Sequence, residues 1–127
     1  MFQGYHHIGL AVPDTKRSLA FYEAIGGKEI YRFPIGPQFA YLVDLGGGAI
    51  LEILPFGKGG EEKEARFAHI ALNCDDVPAA FDLLLKAGAT VRSEVREGAL
   101  MGEPPMPMVN AFLFGPDGEQ IELFHVK

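Results

Sequence analysis

His7-Ile8-Gly9-Leu10-Ala11-Val12-Pro13-Asp14, near the start of the chain, returns as His69-Ile70-Ala71-Leu72-Asn73-Cys74-Asp75-Asp76. Each copy leads on to an acidic, strand-like stretch: Ala49-Ile50-Leu51-Glu52-Ile53-Leu54 after the first, Glu119-Gln120-Ile121-Glu122-Leu123-Phe124 after the second. The chain thus says twice, in the same order, a histidine opening one apolar strand and a glutamate inside another. A repeat of about sixty residues buries too little surface to be comfortably stable alone, so the copies are expected to be halves of one folded unit.

Working outward from the first histidine strand, at about 5–12, Asp14 or Thr15 can cap a helix whose apolar positions Leu19, Ala20, Phe21, Tyr22 and Ile25 approximate a helical stripe. Gly26-Gly27 stops it. Strands follow at about 29–35, 39–45 and 49–54, with turns at 34–37 and 46–48. The glycine-rich, charged stretch 55–65 has linker composition. The second half repeats the pattern, with a strand at 67–74 and a helix from Asp75 or Asp76 to Lys86 carrying Pro78 in its first turn. Gly88 ends that helix, and strands follow at 90–96, 109–114 and 120–126. One domain, 1–127, is expected, with a first βαβββ module at 1–54, the linker at 55–65 and a second module at 66–127. The stretch 97–108, rich in Gly, Pro and Met, reads as an inserted loop and candidate lid, with Met101, Met106 and Met108 as loop packing.

Composition removes several function classes. With 127 residues and 48% hydrophobic content the chain can bury a real core. A net charge of −6 and a pI near 5.1 argue against nucleic acid as a partner. Neither a membrane-crossing run nor a signal sequence is evident, so a cytoplasmic setting is expected and no membrane partner. The single cysteine, Cys74, reads as a small buried hydrophobe.

Side chains alternate across a strand, so His7 shares a face with Gly9 and Ala11 while Ile8, Leu10 and Val12 share the other. The same parity separates His69 from Ile70, Leu72 and Cys74, and Glu122 from Ile121 and Leu123; Glu52 shares its face with Ile50 and Leu54. A carboxylate inside an apolar strand is costly unless exposed, paired or bound to a cation. A divalent ion held by His7, Glu52, His69 and Glu122 resolves that cost. Two imidazoles and two carboxylates suit zinc, nickel, iron(II), manganese or cobalt better than calcium, and leave room for water or substrate. His6 and His125 have the opposite parity and read as structural.

On His7-Ile8-Gly9-Leu10-Ala11-Val12-Pro13-Asp14 with Ser18-Leu19-Ala20-Phe21-Tyr22, on His69-Ile70-Ala71-Leu72, and on Gly115-Pro116-Asp117-Gly118-Glu119-Gln120-Ile121-Glu122-Leu123, the whole chain resembles the vicinal oxygen chelate superfamily. That superfamily includes glyoxalase I, methylmalonyl-CoA epimerase, extradiol dioxygenases, fosfomycin-resistance enzymes and bleomycin-binding proteins. The resemblance implies an α+β fold: two paired βαβββ modules forming a curved, mostly antiparallel mixed sheet around a metal cavity. The order His, Glu, His, Glu is similar to glyoxalase I. Epimerases usually have Gln where this chain has Glu52, and the dioxygenases and fosfomycin enzymes typically use three ligands. The chain departs from glyoxalase I at Ala11 and Phe56, where that enzyme usually carries an Arg and an Asn that help hold glutathione.

The implied activity is that of a metal-dependent lyase or isomerase, moving a proton beside a carbonyl through a metal-chelated enediolate. Glu122 is then the expected base and Glu52 the second acid/base group, with His7 and His69 as fixed ligands. The expected cofactor is a divalent metal, nickel or zinc first, with cobalt, manganese and iron(II) as alternatives. The expected partners are a small-molecule substrate with adjacent oxygens and a second copy of the chain in a homodimer. Phe33, Phe39, Tyr41 and Phe56 are candidate pocket walls. The competing activities are a methylmalonyl-CoA epimerase-like enzyme, an iron(II) extradiol dioxygenase and a non-catalytic drug-binding protein of the bleomycin resistance type.

Overall fold

In the computed structural model, which describes residues 1–56, 66–116 and 118–127, the succession strand, helix, strand, strand, strand occurs twice. The first pass is β1 (Phe2–Val12), α1 (Thr15–Ala24), β2 (Lys28–Ile35), β3 (Gln38–Asp44) and β4 (Ile50–Pro55). The second is β5 (Arg66–Cys74), α2 (Val77–Lys86), β6 (Thr90–Leu100), β7 (Met106–Phe114) and β8 (Gln120–Val126). The eight strands are hydrogen-bonded in the order β2-β3-β4-β1-β5-β8-β7-β6. The β1–β4 and β5–β8 pairs are parallel, whereas β2–β3, β3–β4, β6–β7 and β7–β8 are antiparallel. This is the expected α+β architecture with a mostly antiparallel mixed sheet. The linker expected at 55–65 falls, beyond Phe56 and before the strand at Arg66, outside the described residues. No helix among the described residues is long and apolar enough to cross a membrane.

Two compact units divide the chain: residues 7–68 with 101–104, and residues 1–6 with 69–100 and 105–127. In the first, Asp14 caps α1 by accepting the Arg17 N–H at 3.1 Å. Leu19 and Tyr22, three apart on one helical face, then turn toward Val12, Tyr41, Val43, Leu51 and Ile53, while the buried Thr15 hydroxyl donates to Gln38 Oε1 at 3.1 Å. Ala20, Phe21 and Ile25, expected in that stripe, are exposed, Phe21 at 60% and Ile25 at 64%, because the helix turns its Leu19–Tyr22 side to the core and Ile25 lies past its last turn. In the second unit Asp76 caps α2 through the Ala79 N–H at 2.9 Å. Val77, Ala80, Phe81 and Leu84 pack on Cys74, Ala111, Leu113 and Leu123. Gly26 and Gly88, at φ +101 and +108, take the left-handed conformation that ends each helix. Each cap contributes about 1 kcal/mol, whereas each fully buried large apolar side chain contributes about 1.5–3 kcal/mol. The caps therefore set where the helices begin, and the core holds them.

The stretch 97–108 is not the loop its composition suggests. The β6–β7 ladder continues through Glu97↔Val109, Gly98↔Met108, Ala99↔Pro107 and Leu100↔Met106, so only 101–105 turns the chain. Met108 is fully buried beside Ala71 and Phe124, while Met101 is 64% exposed. Cross-strand hydrogen bonding outweighs the weak strand preference of Gly and Pro here. The tip is fastened within the first unit. The Tyr31 hydroxyl accepts the Gly102 N–H and donates to the Pro104 carbonyl, each at 2.8 Å.

Candidate metal site

His7 lies on β1 with 2% of its surface exposed, and Glu52 on β4 with 7%. Their side chains approach at 3.6 Å, Nε2 to Oε1. In the parallel β1–β4 ladder Glu52 stands opposite Gly9, two residues past His7 on the same face. The second unit repeats the arrangement. His69 on β5 and Glu122 on β8 approach at 3.2 Å, Nε2 to Oε1, with side chains 7% and 6% exposed. Glu122 stands opposite Ala71, two residues past His69. In both ladders a small residue faces the carboxylate, leaving space for the histidine ring to lean across. The face shared by Glu52, Ile50 and Leu54, ambiguous from sequence, is thus the face of His7.

Two donor atoms each about 2.1 Å from one ion, at angles of roughly 90–110°, stand about 3.0–3.4 Å apart. The His69–Glu122 separation falls inside that span, and the His7–Glu52 separation is a few tenths of an ångström wider. The donor chemistry also fits, since a nitrogen and an oxygen from each pair form the mixed set that divalent transition metals accept. His7, His69 and Glu122 stand out among the described residues as buried candidates to hold a metal ion.

Polar groups that sequence reasoning did not single out surround Glu122. The Asn110 amide donates from Nδ2 to Glu122 Oε2 at 3.0 Å, and Arg96 donates from Nε to Asn110 Oδ1 at 3.1 Å. Asn110 is 4% exposed on β7. Phe112, directly across from Glu122, meets the His69 ring edge-on at 5.6 Å between centroids, and the Arg92 guanidinium lies 4.9 Å above the Phe112 ring. The available signal was Asn110 itself, an amide in the apolar run Val109-Asn110-Ala111-Phe112-Leu113 with the parity of Phe112.

The aromatic pocket walls fare unevenly. Phe33 pairs with Ala40, whose neighbour at the second position along β3, Leu42, lies across from Glu52, so Phe33 has the parity of the glutamate. Tyr41 pairs with Ile53 on the opposite face and belongs to the core under α1. Phe39 shares the parity of Tyr41, and Arg32 lies over both rings at 5.5 and 5.1 Å while bonding Glu29, which raises its pKa further. Phe56 stacks under Arg66 at 5.4 Å. His6 packs on Phe124 at 4.4 Å, and His125 Nδ1 lies 3.0 Å from the Cys74 carbonyl oxygen, in keeping with structural roles.

Known proteins resemble this chain in sequence and in fold. A lactoylglutathione lyase of Salmonella typhimurium is 32% identical over 129 residues, spanning 95% of this chain and 91% of that one. A probable lactoylglutathione lyase of Vibrio parahaemolyticus is 30% identical over 128 residues, spanning 95% and 89%. Among solved structures, a methylmalonyl-CoA epimerase in complex with methylmalonyl-CoA and NH4+ superposes with a TM-score of 0.76 at 23% identity, covering 98% of this chain and 95% of that one. The Mn(II)-bound glyoxalase from Novosphingobium aromaticivorans gives 0.72 at 21% identity, covering 98% of this chain and 39% of that one. The family model of the Glyoxalase/Bleomycin resistance protein/Dioxygenase superfamily matches residues 4–123, a span that contains both histidine–glutamate pairs. By that match, and by relatives at this identity over nearly its full length, the chain belongs to the glyoxalase/bleomycin resistance protein/dioxygenase superfamily.

Proposed function

We propose that His7, Glu52, His69 and Glu122 together hold one divalent ion, nickel or zinc, and that the protein is a glyoxalase I-like lyase or isomerase. The observation that carries this reading is the repeat at atomic level. A buried histidine and a buried glutamate lie within 3.6 Å in one unit and 3.2 Å in the other, each glutamate opposite the small residue two places past its histidine. The relatives at 30–32% identity, which carry the name lactoylglutathione lyase, favour the same chemistry.

A divalent ion held by these residues would supply positive charge that stabilises the oxyanion formed as a proton leaves the carbon beside a substrate carbonyl. In the thiol adduct or hydrate of a 2-oxo compound, Glu122 takes that proton and returns it to the former carbonyl carbon while Glu52 carries the hydroxyl proton from the first oxygen to the second, so the substrate is isomerised with no net oxidation. Glu52 serves as the second acid/base group, and His7 and His69 stay fixed. The substrate is a small 2-oxo compound or its thiol adduct. Ala11 and Phe56 stand where an Arg and an Asn would help hold glutathione, so a different thiol or a free 2-oxo compound fits equally. A homodimer in the cytoplasm is the expected setting, and light scattering tests the dimer.

The experiment is elemental analysis of protein purified without an affinity tag, incubated with nickel or zinc and desalted. Turnover of methylglyoxal–thiol adducts in deuterated water follows. About one ion per chain and solvent deuterium at the carbon beside the carbonyl are expected. Failure to retain any ion overturns the metal site; retention without exchange on any 2-oxo substrate overturns the lyase reading.

A further inference from the structure

The two glutamates of the repeat are not equivalent, and the difference lies two strands away. Along β7, Asn110 sits two residues before Phe112, the residue across from Glu122; along β3, Ala40 sits two residues before Leu42, the residue across from Glu52. On the next strand outward, Arg96 pairs with Asn110 and Phe33 pairs with Ala40. The second module therefore has an arginine and an asparagine where the first has a phenylalanine and an alanine. A buried amide in a strand needs partners for both of its ends. Asn110 finds Glu122 for its Nδ2 and Arg96 for its Oδ1.

We infer that Arg96 and Asn110 form a positioning relay that orients the Glu122 carboxylate in the site, an inference that rests on the metal reading above. Arg96 can only donate, so it fixes which end of the Asn110 amide faces it. The amide nitrogen is then committed to Glu122 Oε2. With that oxygen tied at 3.0 Å, the carboxylate rotates little, and Oε1 is left on the side of His69 Nε2, 3.2 Å away. A carboxylate that must both lie beside an ion and take a proton gains from losing that rotation before the substrate arrives. Arg96 and Asn110 act through Glu122.

The test is nickel affinity, measured by competition with a chromophoric chelator, for wild type, Asn110→Ala, Arg96→Met and Leu113→Val. Leu113 is on the opposite face of β7, in the core under α2, so its variant controls for lost stability alone. Asn110→Ala is expected to weaken nickel binding about 10–100-fold, Arg96→Met to weaken it less, and Leu113→Val to lower Tm with nickel affinity unchanged. Nickel affinity equal to wild type in Asn110→Ala, or, should that variant not fold, in Arg96→Met, overturns the relay. Equal losses of affinity in Leu113→Val would make the effect one of stability and overturn it too. Failure of the wild-type chain to bind nickel or zinc refutes the metal reading itself, and the relay with it.

Discussion

Glu122→Gln separates a base from a ligand because its neighbours dictate how the new amide turns. Asn110 presents an N–H to the position of Oε2 at 3.0 Å, so the glutamine must place its oxygen there and its NH2 toward His69 Nε2. The shape and the bond to Asn110 survive, while the atom facing His69 becomes a donor that can neither accept a proton nor ligate. Removing a general base costs about 10²–10⁴-fold in rate, or about 2.7–5.4 kcal/mol at 1.36 kcal/mol per tenfold. Loss of one ligand also weakens the metal, so the assay is kcat for isomerisation of a methylglyoxal–thiol adduct across a nickel titration taken to saturation. The expected result is a kcat reduced by at least a hundredfold that excess nickel does not restore, with Tm of the metal-free protein close to wild type. A kcat within tenfold of wild type at saturating nickel would refute Glu122 as the base and leave it a ligand only.

Chelation should lower thermal stability: an ion present at one hundred times its Kd and bound only by the folded chain stabilises it by about 2.7 kcal/mol, and an unchanged Tm after EDTA would count against any bound ion. Gly102→Ala should lower stability by about 1–3 kcal/mol, because a Cβ there collides with the Arg32 carbonyl and the Tyr31 ring and forces the tip off its two hydrogen bonds. Paired with Tyr31→Phe in a double-mutant cycle by urea unfolding, the two losses should be markedly less than additive; full additivity would show that the tip is not held by Tyr31. Burial pushes the Cys74 thiol pKa up, so the folded chain favours the neutral thiol. That contribution is intact below the unfolded thiol pKa of about 8.5 and is lost as pH rises toward the folded value. Stability should therefore fall at alkaline pH in the wild type more than in Cys74→Ala, with slow iodoacetamide labelling of the native chain at pH 8 and rapid labelling in urea.

The doubled strand motif announced the two modules, since a histidine strand and a glutamate strand recurring in order leave few arrangements for sixty-residue halves that are marginal alone. Helix starts were legible to within one residue, at Asp14 or Thr15 and at Asp75 or Asp76, because capping is a contact between residues three apart; the caps are Asp14 and Asp76. Strand parity located His7, His69 and Glu122 on one kind of face, as period-two alternation is a local property. What alternation cannot supply is register. Only the ladders put Gly9 across from Glu52 and Ala71 across from Glu122, bringing each histidine–glutamate pair within 3.6 Å. Asn110 stood out only as an amide in an apolar run and Arg96 not at all, since their meaning depends on pairings between residues 12 to 14 apart in sequence. The hairpin at 97–108 read as a loop because Gly and Pro speak for local flexibility, whereas cross-strand hydrogen bonds and the burial of Met108 decided otherwise. The doubled motif and strand periodicity determined which residues are candidates to carry chemistry; long-range pairing, which no local preference encodes, decided which of them stand beside one another.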